Sequence, residues 1–179
     1  MRSAVAEFRR KGIHETSIAD VMQAAGLTHG AFYRHFASKD QLIAEACSES
    51  GPAVVDTPSK ASGGQCDRDI AEAIIDTYLS PAHRDDIAAG CTFAALGSEL
   101  ARACPETREA ASARILALID TLSKRLGDTS SDTAKGRAIV AVSAMVGALT
   151  MSRIMTDTAM SDAILAHTQK ELSRLMQEG

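Results

Sequence analysis

Apolar positions recur along this chain at intervals of three and four residues and nowhere alternate for long with polar ones. That is the period of an amphipathic α-helix, not of a strand. The long segments are filled with Ala, Leu, Met, Glu, Arg and Gln, which lose little on entering a helix. The pattern predicts a first helix over about residues 2–11, stopped at Gly12, a residue free to take a left-handed cap. Thr16 or Ser17 then caps a second helix, and Asp20, three residues after Ser17, completes a capping-box arrangement. This helix runs to Ala25 and breaks at Gly26. Thr28 caps a third helix over about residues 29–35, and Ser38 a fourth that begins at Lys39. Six more are expected at about 67–79, 82–89, 91–103, 106–126, 132–156 and 160–177. Pro81, Gly90, Pro105, Gly127 and Thr156–Asp157 punctuate them. Ile115, Ile119, Leu122 and Leu126 form one apolar stripe, whereas Ala138–Met155 is apolar nearly all round and is expected to be buried on several sides.

Residues 51–65 interrupt this pattern with Gly, Pro and Ser and read as a flexible connection. The division that follows is a helix-turn-helix domain at 1–47, a connection at 48–66 and a helical domain at 67–179, all-α throughout. With 179 residues, 45% hydrophobic, 23% charged and 4 Pro, the chain has an ordinary globular composition and can bury a sizeable core. No uninterrupted apolar run reaches the length of a membrane span, and the start lacks the apolar stretch of a secretory signal. The four cysteines, 47, 66, 91 and 104, form no CxxC pair and no metal-like cluster. They are expected to be reduced thiols in a cytoplasmic protein without metal or cofactor. The net charge of −4 excludes a uniformly basic coat. Residues 1–47 nevertheless carry six Lys/Arg against five Asp/Glu, plus His14, His29 and His35, while the remainder carries 13 against 18. A relatively basic end and an acidic remainder permit a DNA-facing end.

Residues 16–36, TSIADVMQAAGLTHGAFYRHF, fit two helices and a Gly-containing turn into the span of a helix-turn-helix. Ile18, Val21 and Met22 give the first helix an inner face. Ala25 is small where two helices cross, Leu27 plugs the turn, and Phe32 and Phe36 point into one core against Phe8. The opposite face of the third helix presents His29, Gly30, Tyr33 and Arg34. Thr28 offers a hydroxyl and a helix N-terminus, a combination suited to phosphate. Four of the six aromatic residues precede residue 37. A core in so small a domain accounts for the three Phe but not for Tyr33 on the other face.

The string GLTHGAFYRHFASKDQL, residues 26–42, resembles the DNA-binding domain of the tetracycline-repressor (TetR) family of bacterial regulators. YLSPAHRDDIAAGCTFAALGSELAR, residues 78–102, is similar to the C-terminal domain of one TetR subgroup. The resemblance implies that Thr16, Ser17 and Thr28 contact phosphate, and that Tyr33 bonds a phosphate through its hydroxyl. It implies that His29, Gly30, Ala31 and Arg34 face base edges or adjacent phosphates, that His35 sits at the rim, and that Lys39 anchors the backbone. Some of these contacts position the protein and others read sequence. Arg34 suits a bidentate contact to guanine and Ala31 a thymine methyl, while Gly30 allows close approach. Family members carry further residues ahead of this point, so helix 1 is expected to be short.

The same resemblance implies a homodimer whose last long helices pair across a two-fold axis, with Ser143, Ala144, Gly147 and Ala148 as small interface residues. Intrachain packing is the alternative for these four. A pocket for an apolar ligand is expected among Ile74, Tyr78, Phe93, Leu96, Leu100, Leu118, Met145 and Met151, with Tyr78 and Ser98 as polar anchors. Met155 and Met160 share the adaptable chemistry of such a lining, but methionine fills cores equally well. The function expected is a regulator, a repressor that leaves an inverted-repeat operator when a small ligand binds. A second reading makes Cys91, at a helix start, a redox or electrophile sensor, against the plain alternative of a buried packing thiol; Cys47, Cys66 and Cys104 are weaker candidates. A remote third reading is a helical enzyme with Cys91 as nucleophile and His83 as base. It lacks an orienting third group, and the chain has no Gly-rich phosphate loop, HExxH or GxSxG motif, so an enzyme is not expected. A helical adaptor without DNA binding would have no use for Thr28, Tyr33 and Lys39 together.

Overall fold

A computed structural model describes residues 1–49, 67–126 and 132–177. Among the described residues there are ten helices and no strand. They are α1 (Arg2–Lys11), α2 (Ile18–Ala24), α3 (His29–Phe32), α4 (Lys39–Glu49), α5 (Asp67–Tyr78), α6 (Pro81–Asp85), α7 (Thr92–Leu100), α8 (Pro105–Ser123), α9 (Asp132–Ile154) and α10 (Thr158–Gln177). The Gly/Pro/Ser connection, with Cys66, falls almost wholly outside the described residues, as does Gly127. The helices follow the sequence pattern in number and order, but α3 stops three residues and α6 four residues before the expected end, and α7 and α8 each end three residues early. After Phe32 the chain tightens: the Arg34 amide donates to Ala31 O at 3.3 Å and the His35 amide to Phe32 O at 2.9 Å. These three-residue closures give a tighter coil than an α-helix.

The described residues form two compact units. The first holds α1–α4, α7 and the start of α8 to Ile115; the second holds α5, α6, the rest of α8, α9 and α10. The sequence division assigned α7 to the second domain. In the structure α7 packs with α1, because four short helices cannot by themselves bury Val5, Phe8, Ile13 and Cys47. Thr92 and Leu96 of α7 cover these residues and leave only about 10 Å³ of free volume among them. Phe8 and Phe32 are buried, each contributing roughly 1.5–3 kcal/mol through removal from water.

Two expectations for the turn between α2 and α3 fail. Leu27 is 51% exposed instead of plugging the turn, and Ala25 is exposed instead of lying at a helix crossing. The reversal is carried by main chain. Gly26 sits at φ +68°, the Leu27 amide donates to Met22 O at 2.8 Å, and no core position is left for either side chain.

In the second unit α10 packs along α9 and against α5, and α6 packs on α9. Leu149, Leu165, Ile75 and Met176 are fully buried there. Arg153 of α9 donates through Nε to Arg84 O and through Nη2 to His83 O, both at 3.0 Å, and so closes the end of α6. Arg84 in turn reaches Ser161 Oγ at 2.9 Å and Asp162 Oδ1 at 2.6 Å. The expectation that Ala138–Met155 is buried on several sides is corrected here. Ile139, Val140, Met151, Ile154 and Met155 are exposed. Over Thr133–Ile154, α9 has the length and composition of a membrane span, but only 39% of that window is buried within the chain. One face of α9 is therefore apolar and uncovered.

Candidate nucleic-acid interface

The segment that presents α2 and α3 is fastened from both sides. α1 ends at Gly12, where φ is +90° and the amide donates to Phe8 O at 2.8 Å. The next two amides, of Ile13 and His14, donate to one carboxylate oxygen, Glu99 Oε2 of α7, at 2.8 and 3.1 Å. At the other end of α7, Arg9 Nε donates to Thr92 Oγ1 at 2.9 Å and Arg9 Nη1 to Ala88 O at 3.2 Å. From within, Thr16 donates its hydroxyl to Gly12 O at 2.6 Å. Thr16 is fully buried, so the phosphate contact expected of it is not available to this side chain; it rivets the turn instead.

Ser17 and Thr28 start their helices alike but spend their hydroxyls differently. Ser17 Oγ accepts the Asp20 amide at 3.1 Å, and Asp20 Oδ2 accepts the Ser17 amide at 2.8 Å, forming the capping box read from the sequence. Lys11 Nζ adds an ion pair to Asp20 Oδ1 at 2.9 Å. The Ser17 hydroxyl and amide and the Lys11 ammonium hold the Asp20 carboxyl well below the usual carboxylate range. Thr28 caps α3 without any side-chain bond to it and is exposed, so its hydroxyl is left for an outside acceptor.

Beyond Thr28 the outward face is polar. His29, Gly30, Tyr33, Arg34 and His35 are all exposed, while Phe32 at 0% exposure anchors the opposite face. Tyr33 is 63% exposed and held edge-on to Phe32 at 5.1 Å and to His29 at 5.7 Å between ring centres. A Cβ added at Gly30 would meet nothing within 4 Å, so the missing side chain leaves room on the outside rather than serving the core. Ala31 and Lys39 are half-buried. Ser38 and Gln41 fix the start of α4: Ser38 Oγ accepts the Gln41 amide at 3.1 Å, and Gln41 Oε1 accepts the Ala37 amide at 2.8 Å. Polar donors thus cluster around a helix start, with an aromatic anchor behind them.

The residues expected to line a ligand pocket are divided between the units. Phe93, Leu96, Leu100 and the exposed Ser98 lie in the first; Ile74, Tyr78, Leu118 and Met145 lie buried in the second. Met151 is 54% exposed and lies elsewhere, on an open groove of about 490 Å³. That groove brings Met151 together with Ala144, Gly147 and Ala148 of α9 and with Met160, Ala163, Ile164 and His167 of α10. Ser143 is exposed on the same helix. A Cβ at Gly147 would also meet nothing within 4 Å. Cys91 caps α7 and is 1% exposed, and Cys47 is buried, its thiol pushed up to about 11 by desolvation. The partners Arg9, Thr92 and Glu99 escape sequence reasoning, because 83 and 86 residues separate the bonded groups and no local pattern marks them.

Residues 1–46 match bacterial regulatory proteins of the tetR family, and residues 69–167 match the C-terminal domain of LmrA/YxaF-like transcriptional regulators. An uncharacterized HTH-type transcriptional regulator of Mycobacterium tuberculosis is 31% identical, covering 93% of this chain and 88% of its own length. The probable acrEF/envCD operon repressor of Escherichia coli is 40% identical over 25% of this chain and 20% of its own. Among solved structures, E. coli NemR in its reduced form has a TM-score of 0.79 at 19% identity, covering 97% of this chain and 93% of that one. A TetR transcriptional regulator from Chloroflexus aurantiacus has a TM-score of 0.76 at 25% identity, covering 99% and 91%.

Proposed function

The chain belongs to the TetR family of DNA-binding transcriptional regulators, and on that premise we propose how its two open surfaces divide the work. It acts as a homodimeric repressor in the bacterial cytoplasm. Each copy places the segment Thr28–Arg34 in a major groove of an inverted-repeat operator. Thr28, Tyr33 and Lys39 bond phosphates, while Ser17, its hydroxyl and amide both turned to Asp20, caps α2 beside them; Arg34 reads guanine; His29, Ala31 and His35 lie along the same edge; Gly30 admits the duplex closely. The observation that carries this reading is the pairing of a fully buried Phe32 with an exposed polar face around the unspent Thr28 hydroxyl.

The second copy covers the apolar face of α9 and α10, with Ser143, Ala144, Gly147 and Ala148 as the small residues at the contact. Met151 belongs to that face, on the same groove as Met160 and His167. An apolar effector, held by residues such as Ile74, Tyr78, Leu118 and Met145, releases the operator by favouring a dimer shape that no longer fits it. Cys91, buried at the start of α7, is better suited to packing than to sensing oxidants.

Fluorescence anisotropy tests the reading, using the DNA upstream of the coding sequence, a scrambled duplex and two salt concentrations. Saturable binding that withstands the scrambled competitor is expected. Equal, salt-erased binding to both duplexes would overturn it.

A further inference from the structure

We propose that Glu99 is a positioning residue for operator binding: its carboxylate latches the turn between α1 and α2 and fixes how the helix-turn-helix is presented. The proposal rests on the DNA-binding reading above. Three observations converge on this side chain. One oxygen, Oε2, accepts both the Ile13 and the His14 amides, at 2.8 and 3.1 Å. These are the first two amides after the cap of α1, where no helix hydrogen bond can serve them. The other oxygen, Oε1, lies 3.0 Å from where a Cβ at residue 12 would stand, so the latch closes on a glycine at φ +90°. The bond to Thr92 from Arg9 lies at the other end of α7, so α7 grips α1 at two points about two helical turns apart.

The chemistry chosen is informative. An acceptor shared by two backbone donors resists rotation of the peptide planes it holds, which a single apolar contact would not do. Those planes lead through Thr16 straight into the capping box of α2, and α2 packs on α3. A small rotation at Ile13–His14 is therefore carried to Thr28 and Arg34. Core burial by Phe8, Phe32 and Leu96 holds the unit folded without the latch. Glu99 adds orientation, and its loss should appear in specific binding before it appears in folding.

The test compares Glu99→Ala and Glu99→Gln with the parent protein. The glutamine keeps one oxygen that can accept from both amides, while it loses the charge and carries an NH2 group in place of the other oxygen. The DNA probes are a duplex recovered by selection from a random library with the parent protein, and an unrelated duplex of equal length. Glu99→Ala should lose about tenfold or more in affinity for the selected duplex at a temperature where its helicity is unchanged, since the part-buried Ile13 amide is orphaned and the exposed His14 amide is released to water, freeing both peptide planes. Its affinity for the unrelated duplex should stay within about twofold, because phosphate contacts dominate there. Glu99→Gln should bind both within about threefold of the parent. Amide hydrogen exchange is read in parallel: Ile13 and His14 should exchange faster in Glu99→Ala alone, with the Gly12 amide unchanged.

Parent-like affinity of Glu99→Ala for the selected duplex would overturn the proposal. So would equal losses on both duplexes, or a glutamine variant as weak as the alanine. Ile13 and His14 amides that exchange in the parent as fast as in Glu99→Ala would overturn the latch itself. A parent protein that shows no preference for any selected duplex would instead refute the DNA-binding reading, and the exchange experiment would still judge the latch.

Discussion

The outward face of α3 and the paired outward faces of α9 and α10 are both left open to solvent, and they are made of opposite materials. Around α3 the exposed groups are a hydroxyl, two imidazoles, a phenol and a guanidinium, at Thr28, His29, His35, Tyr33 and Arg34. On α9 and α10 they are Met151, Met160, Ile154 and Val140, with small residues between. Exposed polar donors cost nothing in water and wait for a charged ligand. Exposed thioethers and aliphatic chains keep an unfavourable hydration that is relieved only by another apolar surface. The contrast extends inward. The first unit is cross-tied by side chain to backbone bonds at Glu99, Thr16 and Arg9, which fix direction. The second unit has such bonds too, from Ser161 Oγ to Ser152 O at 2.6 Å and from Arg153 to the His83 and Arg84 carbonyls, but they gather where α9 ends and α10 begins, and the rest of the α9–α10 contact is apolar packing around Leu149 and Leu165.

Breaking the anchor behind the polar face should have the largest effect. Phe32→Ala removes a fully buried ring and should cost about 3–5 kcal/mol, enough to unfold so small a unit and abolish DNA binding; thermal melting checks this. Met151→Glu separates the two surfaces. It should leave folding of the chain within about 0.5 kcal/mol of the parent, because the site is exposed. Self-association should fall by about a hundredfold or more, since each copy would bury a carboxylate. Sedimentation velocity reads the association, and unchanged association would remove α9 from the interface. Arg34→Ala should cost about 1–3 kcal/mol on the selected duplex and relax preference at one base pair, without altering assembly.

Ser17→Ala should cost about 1 kcal/mol in stability through loss of the cap of α2. The smallest effect is on pH dependence. The Asp20 carboxyl lies below its ordinary value of 3.8 in the folded protein, so its contribution is present above about pH 4 and fades as pH falls below that value. Parent and Asp20→Asn melting curves should therefore converge on acidification and stay apart between pH 5 and 7, a window set by these same carboxyl values. Curves that remain equally separated at low pH would mean that the bonds of the ionised carboxylate to Ser17 and Lys11 are not what Asp20 contributes.

Much of this was readable from local chemistry. Gly12, the Ser17–Asp20 box, the Thr28 and Ser38 starts and Pro81 act within four residues of themselves, so helix order and helix starts follow from spacing, whereas α3, α6, α7 and α8 end three or four residues early. The exposed row from Thr28 to Arg34 follows as well, because Phe32 and Phe36 tell the inner face from the outer. Three things were not readable. Thr16 and Ser17 are adjacent hydroxyl residues, and only packing decides which one is buried. Leu27 looks like a core residue until the main chain closes the turn without it. Glu99, Thr92 and Arg9 come from segments more than eighty residues apart, and a lone glutamate on an apolar helix carries no mark of the amides it will accept.

The place of α7 bears on modularity. Chimeric regulators are naturally designed by cutting between the DNA-reading and effector-sensing segments, and residues 50–66 look like the seam. Such a cut divides α1 from the helix that latches it. A transplanted reading head would arrive without its own Arg9–Thr92 and Ile13–Glu99 partners. It would also need glycine at position 12 whatever α7 it met, because φ there is +90°, a conformation that side chains rarely adopt. The exchangeable part is therefore discontinuous: residues 1–49 together with 87–115, with α5 and α6 left behind as an insertion between its two pieces.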